Sequence, residues 1–110
     1  MSSSEVQVLN VDEFKTKMAQ FGDNAVLLDV RTKEEVEQGK IPGAVHIDFY
    51  QEDFKDKINE LDQSVPYLIY CASGGRSNKT ATLLLENGFT EVYDLKGGIR
   101  AWKAKGEPVD

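Results

Sequence analysis

With 110 residues, 40% of them apolar and 29% charged, the chain reads as one globular domain, residues 1–110, able to bury a modest core without staples. A single cysteine excludes an internal disulfide, and one cysteine with one histidine argues against a structural metal site. The net charge of −6 argues against nucleic acid or an anionic membrane surface as a partner.

The first six residues lack the basic and apolar regions of a secretory leader. No apolar run approaches the roughly 18 residues that span a bilayer. A free thiol suits a reducing compartment, so a cytoplasmic location is expected. Residues 6–9 read as a short strand. Asn10 or Asp12 can cap a helix to about Gln20, with Phe14, Met18 and Phe21 near helical spacing. Gly22-Asp23-Asn24 reads as a turn. Residues 25–30 are almost all apolar, as in a parallel strand covered on both faces.

Thr32 and Glu35 have capping-box spacing, and Gly39 closes the short helix they open. Ile41-Pro42-Gly43 predicts a turn, residues 44–47 a strand, and residues 49–61 an amphipathic helix carrying Phe54, Ile58 and Leu61. Ser64-Val65-Pro66 breaks the pattern. Residues 67–70 predict a buried strand, residues 80–88 a helix ending at Gly88, and residues 91–95 a last strand. Lys96-Gly97-Gly98 turns the chain into a helix over 99–105, stopped by Gly106 with Pro108 beyond. Strands alternating with helices predict an α/β fold of three layers: a mostly parallel sheet of about five strands, helices on both faces.

The chemistry concentrates where the strand at 67–70 meets the helix that follows, in Cys71-Ala72-Ser73-Gly74-Gly75-Arg76-Ser77. Ligands of open α/β sheets bind at the carboxyl ends of strands. Glycines let the backbone curl so that successive N–H groups converge on an anion. A helix N-terminus and a nearby cation both favour a thiolate. A lone cysteine is more often a small buried hydrophobe, but Gly-Gly-Arg-Ser is a poor choice for core packing. The loop reads as a device for holding a thiolate and an anionic adduct on it.

Three separated stretches agree on one family. Residues 28–31 (Leu-Asp-Val-Arg), with Glu34, Glu35 and the run from Gly39 to Ala44, form the first. The Cys71–Ser77 loop is the second, and the third is Lys96-Gly97-Gly98-Ile99-Arg100-Ala101-Trp102. In order and spacing they resemble a single-domain rhodanese over nearly the whole chain. The resemblance implies a sulfurtransferase working by a ping-pong mechanism, with Cys71 carrying the sulfur as a persulfide. The substrate-binding residues would be Ala72, Ser73, Gly74, Gly75, Arg76 and Ser77, the loop amides holding the outer sulfur and Arg76 orienting the donor. Asp29 and Arg31 would support the loops beneath the site. The resemblance calls for no metal and no organic cofactor. Partners would be a small anionic sulfur donor and a thiol or protein-thiol acceptor, and a monomer is expected.

Four residues separate Cys71 from Arg76, one fewer than in related phosphatases. The shorter loop suits a sulfane sulfur better than a tetrahedral phosphate. Ala72 stands where the family often has a basic residue, Lys40 where a histidine is common and Val36 where an aromatic is common. The acidic stretches 34–37 and 51–53 read as solvated helix faces, His46 as a non-catalytic residue, and Trp102 as a packing anchor. The competing readings are a persulfide carrier, a non-catalytic docking domain, and a phosphatase or arsenate reductase.

Overall fold

The computed structural model describes residues 6–110, so the reading that the first six residues lack the features of a secretory leader lies, but for Val6, outside the described residues. Five strands form one sheet: β1 (Gln7–Leu9), β2 (Val26–Asp29), β3 (Val45–His46), β4 (Tyr67–Tyr70) and β5 (Val92–Leu95). Their order is β1-β5-β4-β2-β3, and every neighbouring pair is parallel. The longest apolar runs take the middle of the sheet, where both faces are covered. Both edge strands are only two or three residues long, which limits unpaired backbone.

Side-chain alternation divides the core in two. Leu28, Val30, Tyr67, Ile69, Cys71 and Val92 point to the face covered by α3 (Phe54–Asn59) and α4 (Gly75–Glu86). Leu68, Tyr70, Tyr93 and Leu95 point to the face covered by α1 (Val11–Phe21) and α5 (Gly98–Ala104). Trp102 of α5 is buried there, its indole N–H donating to the Pro108 carbonyl at 2.8 Å. The short α2 (Lys33–Glu37) follows β2. Asn10 caps α1 in a reciprocal box with Glu13, and Thr32 caps α2 in the same way with Glu35.

Two helices differ from expectation. The amphipathic pattern over 49–61 is helical only for Phe54–Asn59; residues 49–53 make turns that pack Phe49 on Phe54, with ring centroids 5.1 Å apart. Apolar spacing alone could not show where the helix starts, because turns bury aromatics equally well. The helix expected over 80–88 begins at Gly75, taking in Arg76 and Ser77. Its first turn is polar and glycine-rich, so no hydrophobic period marked it. It begins there because Gly74, at φ +120°, makes a turn that a side chain rarely tolerates.

Candidate active site

Cys71 directly follows β4, the central strand, and its side chain is buried. The chain then curls through Ala72 and Ser73 into α4. Two interactions fix the direction of that curl. The carbonyls of Cys71 and Ala72 accept from the N–H groups of Ile99 and Arg100 in the first turn of α5, at 2.9 and 3.1 Å. In a trans peptide the N–H opposes the carbonyl, so the Ala72 and Ser73 N–H groups face away from α5. The Gly74 N–H donates to Cys71 Sγ at 3.1 Å. No side chain caps α4, so the Gly75, Arg76 and Ser77 N–H groups have no intrahelical partner. One backbone donor of the curl, the Gly74 N–H, thus meets the sulfur atom, in the kind of turn into a helix N-terminus that suits an anion. Ser73 and Gly75 are exposed, which opens the curl to solvent.

Gly98 makes the close packing of α5 on the loop possible. A Cβ there would lie 2.5 Å from the Ala72 carbonyl carbon and oxygen and from the Cys71 carbonyl oxygen. Its φ of +61° is also a glycine conformation.

Arg76 is committed within the protein. Its Nη1 and Nη2 donate to the Oε1 and Oε2 of Glu35 at 2.6 and 2.9 Å, a two-pronged ion pair between α4 and α2. The guanidinium also lies 5.6 Å from the ring centroid of the exposed Tyr50. Its hydrogen bonds to Glu35 hold the Arg76 pKa above the ordinary arginine value. Hydrogen bonding to Arg76 in turn holds the Glu35 carboxyl at about 2, against the burial that works the other way. Glu35 is therefore not part of a merely solvated acidic face. It joins the helix cap of α2 to the arginine of the loop. The Arg76 guanidinium forks onto Glu35 rather than standing free over the loop.

Asp29 and Arg31 lie under the other face of the sheet. Asp29 takes hydrogen bonds from Arg31 Nε and Nη2, at 3.0 and 2.7 Å, and from the Tyr70 hydroxyl at 2.6 Å. Arg31 also donates to the carbonyls of Glu35 and Gly39, tying the end of β2 to α2 and to the turn that follows it. Burial alone would lower the Arg31 pKa, yet the hydrogen bonds and charge of Asp29 carry it upward. Burial followed by the Asp29 carboxylate pushes the Tyr70 hydroxyl pKa up. Neither Asp29 nor Arg31 is bonded to the Cys71 loop; they position α2, and α2 presents Glu35 to Arg76.

The structure adds residues that the sequence reading missed. Asp94, at the end of β5, accepts from Ser77 Oγ at 2.5 Å and from Asn78 Nδ2 at 3.4 Å, and Ser77 Oγ also lies 3.4 Å from Cys71 Sγ. The signal for it was one acid inside an otherwise apolar strand. Tyr70 and Glu35 could not be paired with their partners from local pattern, since those partners are 41 residues away. His46 sits exposed on the edge strand, its Nε2 2.6 Å from the Arg31 carbonyl, with no link to Cys71. No group of three or more metal-binding side chains is assembled among the described residues. Among them, too, no helix is long and apolar enough to cross a membrane.

The rhodanese-like domain family matches residues 10–105. The chain belongs to that family. It is 40% identical over 92 residues to thiosulfate sulfurtransferase 16, a chloroplastic protein of Arabidopsis thaliana, covering 74% of this chain and 77% of that one. It is 42% identical over 81 residues to an uncharacterised Bacillus subtilis protein, covering 74% of this chain and 63% of that relative. Among solved structures, the rhodanese-like domain of the Anabaena protein Alr3790 aligns with a TM-score of 0.79 and 31% identity, covering 96% of this chain and 79% of that one.

Proposed function

We propose that this rhodanese-like protein is a sulfurtransferase that carries sulfane sulfur on Cys71. The Cys71 thiolate attacks the outer sulfur of a thiosulfate or persulfide donor. The donor's S–S bond breaks, and its electron pair leaves with sulfite or with the donor thiolate. A thiophilic acceptor, cyanide in an assay or a thiol, then attacks the outer sulfur of the Cys71 persulfide and releases the thiolate again. The observation that carries this reading is a buried Cys71 sulfur at the mouth of a four-residue turn into α4, with the Gly74 N–H bonded to it at 3.1 Å. Such donors stabilise the negative charge that the outer sulfur bears after transfer. The short span from Cys71 to Arg76 favours sulfur over phosphate.

Substrate-binding roles fall to the amides of Ala72, Ser73, Gly74, Gly75, Arg76 and Ser77. Arg76 acts through its charge while Glu35 holds its hydrogen bonds. Asp29 and Arg31 act at one remove, by fixing α2. The test is thiocyanate formation from cyanide, with thiosulfate and an organic persulfide compared as donors. Turnover that disappears in Cys71→Ser supports the reading. Turnover that persists in that variant overturns it.

A second reading, a persulfide carrier loaded by another protein, is favoured by two observations. Ala72 adds no cation at the loop, and Arg76 spends its hydrogen bonds on Glu35. A small dianion such as thiosulfate then meets few free positive groups. A higher rate with the organic persulfide than with thiosulfate supports the carrier.

A further inference from the structure

We propose that Asp94 is the proton acceptor for the Cys71 thiol, reached through the hydroxyl of Ser77, so that thiol and carboxyl titrate as one unit. Its use in sulfur transfer rests on Cys71 being the sulfur-carrying nucleophile. Cys71 Sγ is 3.4 Å from Ser77 Oγ, and Ser77 Oγ is 2.5 Å from Asp94 Oδ1. The relative exposures of the three residues are 1%, 0% and 2%.

A hydroxyl carries one hydrogen. The short contact puts that hydrogen toward Asp94 rather than toward the Gly74 carbonyl at 3.2 Å. The Ser77 oxygen is then free to accept from the thiol. In the resting arrangement Cys71 S–H donates to Ser77, and Ser77 O–H donates to Asp94. Activation moves the thiol proton to Ser77 Oγ while the hydroxyl proton passes to Asp94 Oδ1. The products are a Cys71 thiolate and a neutral Asp94 carboxyl, which now donates back to Ser77, whose own hydrogen faces the sulfur. No bond between heavy atoms changes. The net charge of the buried group stays the same, so no second negative charge has to be created beside the first.

The surroundings leave Asp94 suited to accept. It forms no ion pair among the described residues, and only Ser77 and Asn78 donate to it. Burial pushes its pKa up, outweighing those two hydrogen bonds. Of the titratable groups on the elements around it, Arg76 of α4 bears its charge toward Cys71 and is itself paired with Glu35 of α2 and stacked near Tyr50. Tyr67 of β4 shares the face, but its hydroxyl donates to the Asp62 carbonyl. β1 carries no titratable side chain, while Lys55, Asp56 and Lys57 of α3 and Lys79 of α4 are exposed. Tyr70, Asp29 and Arg31 lie on the opposite face, where α1 and α5 also pack. Asp94 is thus the buried acceptor within reach of the thiol.

A purely structural Asp94 would anchor the first turn of α4 through Ser77 and Asn78, and would titrate without regard to Cys71. The two roles separate in a titration of the wild-type protein, with no sulfur donor present. Carbon-13 shifts of Cys71 Cβ and Asp94 Cγ are followed with pH. Shared ionisation predicts that both nuclei move at the same two midpoints, separated by more than about one pH unit. Asp94→Asn should leave Cys71 with one step, also visible as a single-step pH profile of alkylation by iodoacetamide. An Asp94 shift that titrates where Cys71 Cβ stays still overturns the proposal. So does an alkylation profile unchanged by Asp94→Asn in folded protein. Neither readout depends on sulfur transfer, so failure of the proposed function and failure of this inference are told apart.

Discussion

Replacing Gly98 with alanine should damage the site from behind, without touching a residue of the loop. The added Cβ would meet three backbone atoms of Cys71 and Ala72 at 2.5 Å, about 1 Å inside ordinary contact. Backbone has no rotamer by which to move aside. Relieving the clash means shifting the loop or α5, which would stretch the hydrogen bonds from Ile99 and Arg100 to the loop carbonyls. Overpacking of this kind costs about 1–3 kcal/mol. The left-handed φ of +61° adds about 1–2 kcal/mol for a residue with a side chain. Gly106→Ala supplies the control: its φ is +74°, but a Cβ there meets nothing within 4 Å. It should cost only the backbone term. Urea unfolding of both variants isolates the clash as their difference, expected at about 1–3 kcal/mol. In folded Gly98→Ala, sulfur transfer should fall by about 100-fold, because a displacement near 1 Å misdirects the amides. Equal destabilisation by the two variants, or full transfer by folded Gly98→Ala, would refute the claim that α5 sets the curl of the loop.

Glu35→Gln should lower stability near neutrality by about 1 kcal/mol, the modest value of a partly exposed pair. The Glu35 carboxyl sits lower in the folded protein, at about 2, than its ordinary 4.5, so its stabilisation is present above pH 4.5 and is lost as pH falls toward 2. The variant's urea midpoint should therefore depend less on pH across that window. Tyr70→Phe leaves the buried Asp29 carboxylate and the Ile41 N–H each short of a partner, and should cost about 1–3 kcal/mol in the same assay. Ala72→Lys should improve kcat/KM for thiosulfate by up to about fivefold, the effect of one solvent-exposed charge pair, and change it little for a neutral persulfide donor.

The sheet was legible because each buried strand is a short apolar run closed by turn residues, and the Thr32–Glu35 capping box is a local signal. The Cys71 loop was legible for a different reason: glycines and an arginine next to a cysteine make no sense as core. What stayed hidden depends on contacts between distant parts of the chain. Glu35 looks from sequence like any acid on a short helix, and only the fold brings α2 against α4. Asp94 looks like an interruption in a strand until Ser77 is seen above it. The start of α4 escaped because helix pattern is read from apolar spacing, and its first turn consists of Gly75, Arg76, Ser77 and Asn78. The first three have no intrahelical acceptor for their N–H groups, and none of the four carries a hydrophobic signal.

The central claim is that Cys71 carries sulfur. Intact-protein mass spectrometry, after brief incubation of reduced protein with thiosulfate and separately with an organic persulfide, tests it directly. The account predicts a species heavier by one sulfur atom with at least one donor, discharged by cyanide and absent in Cys71→Ser. Folded, reduced protein that takes up no sulfur from either donor, or takes it up equally in Cys71→Ser, would contradict it.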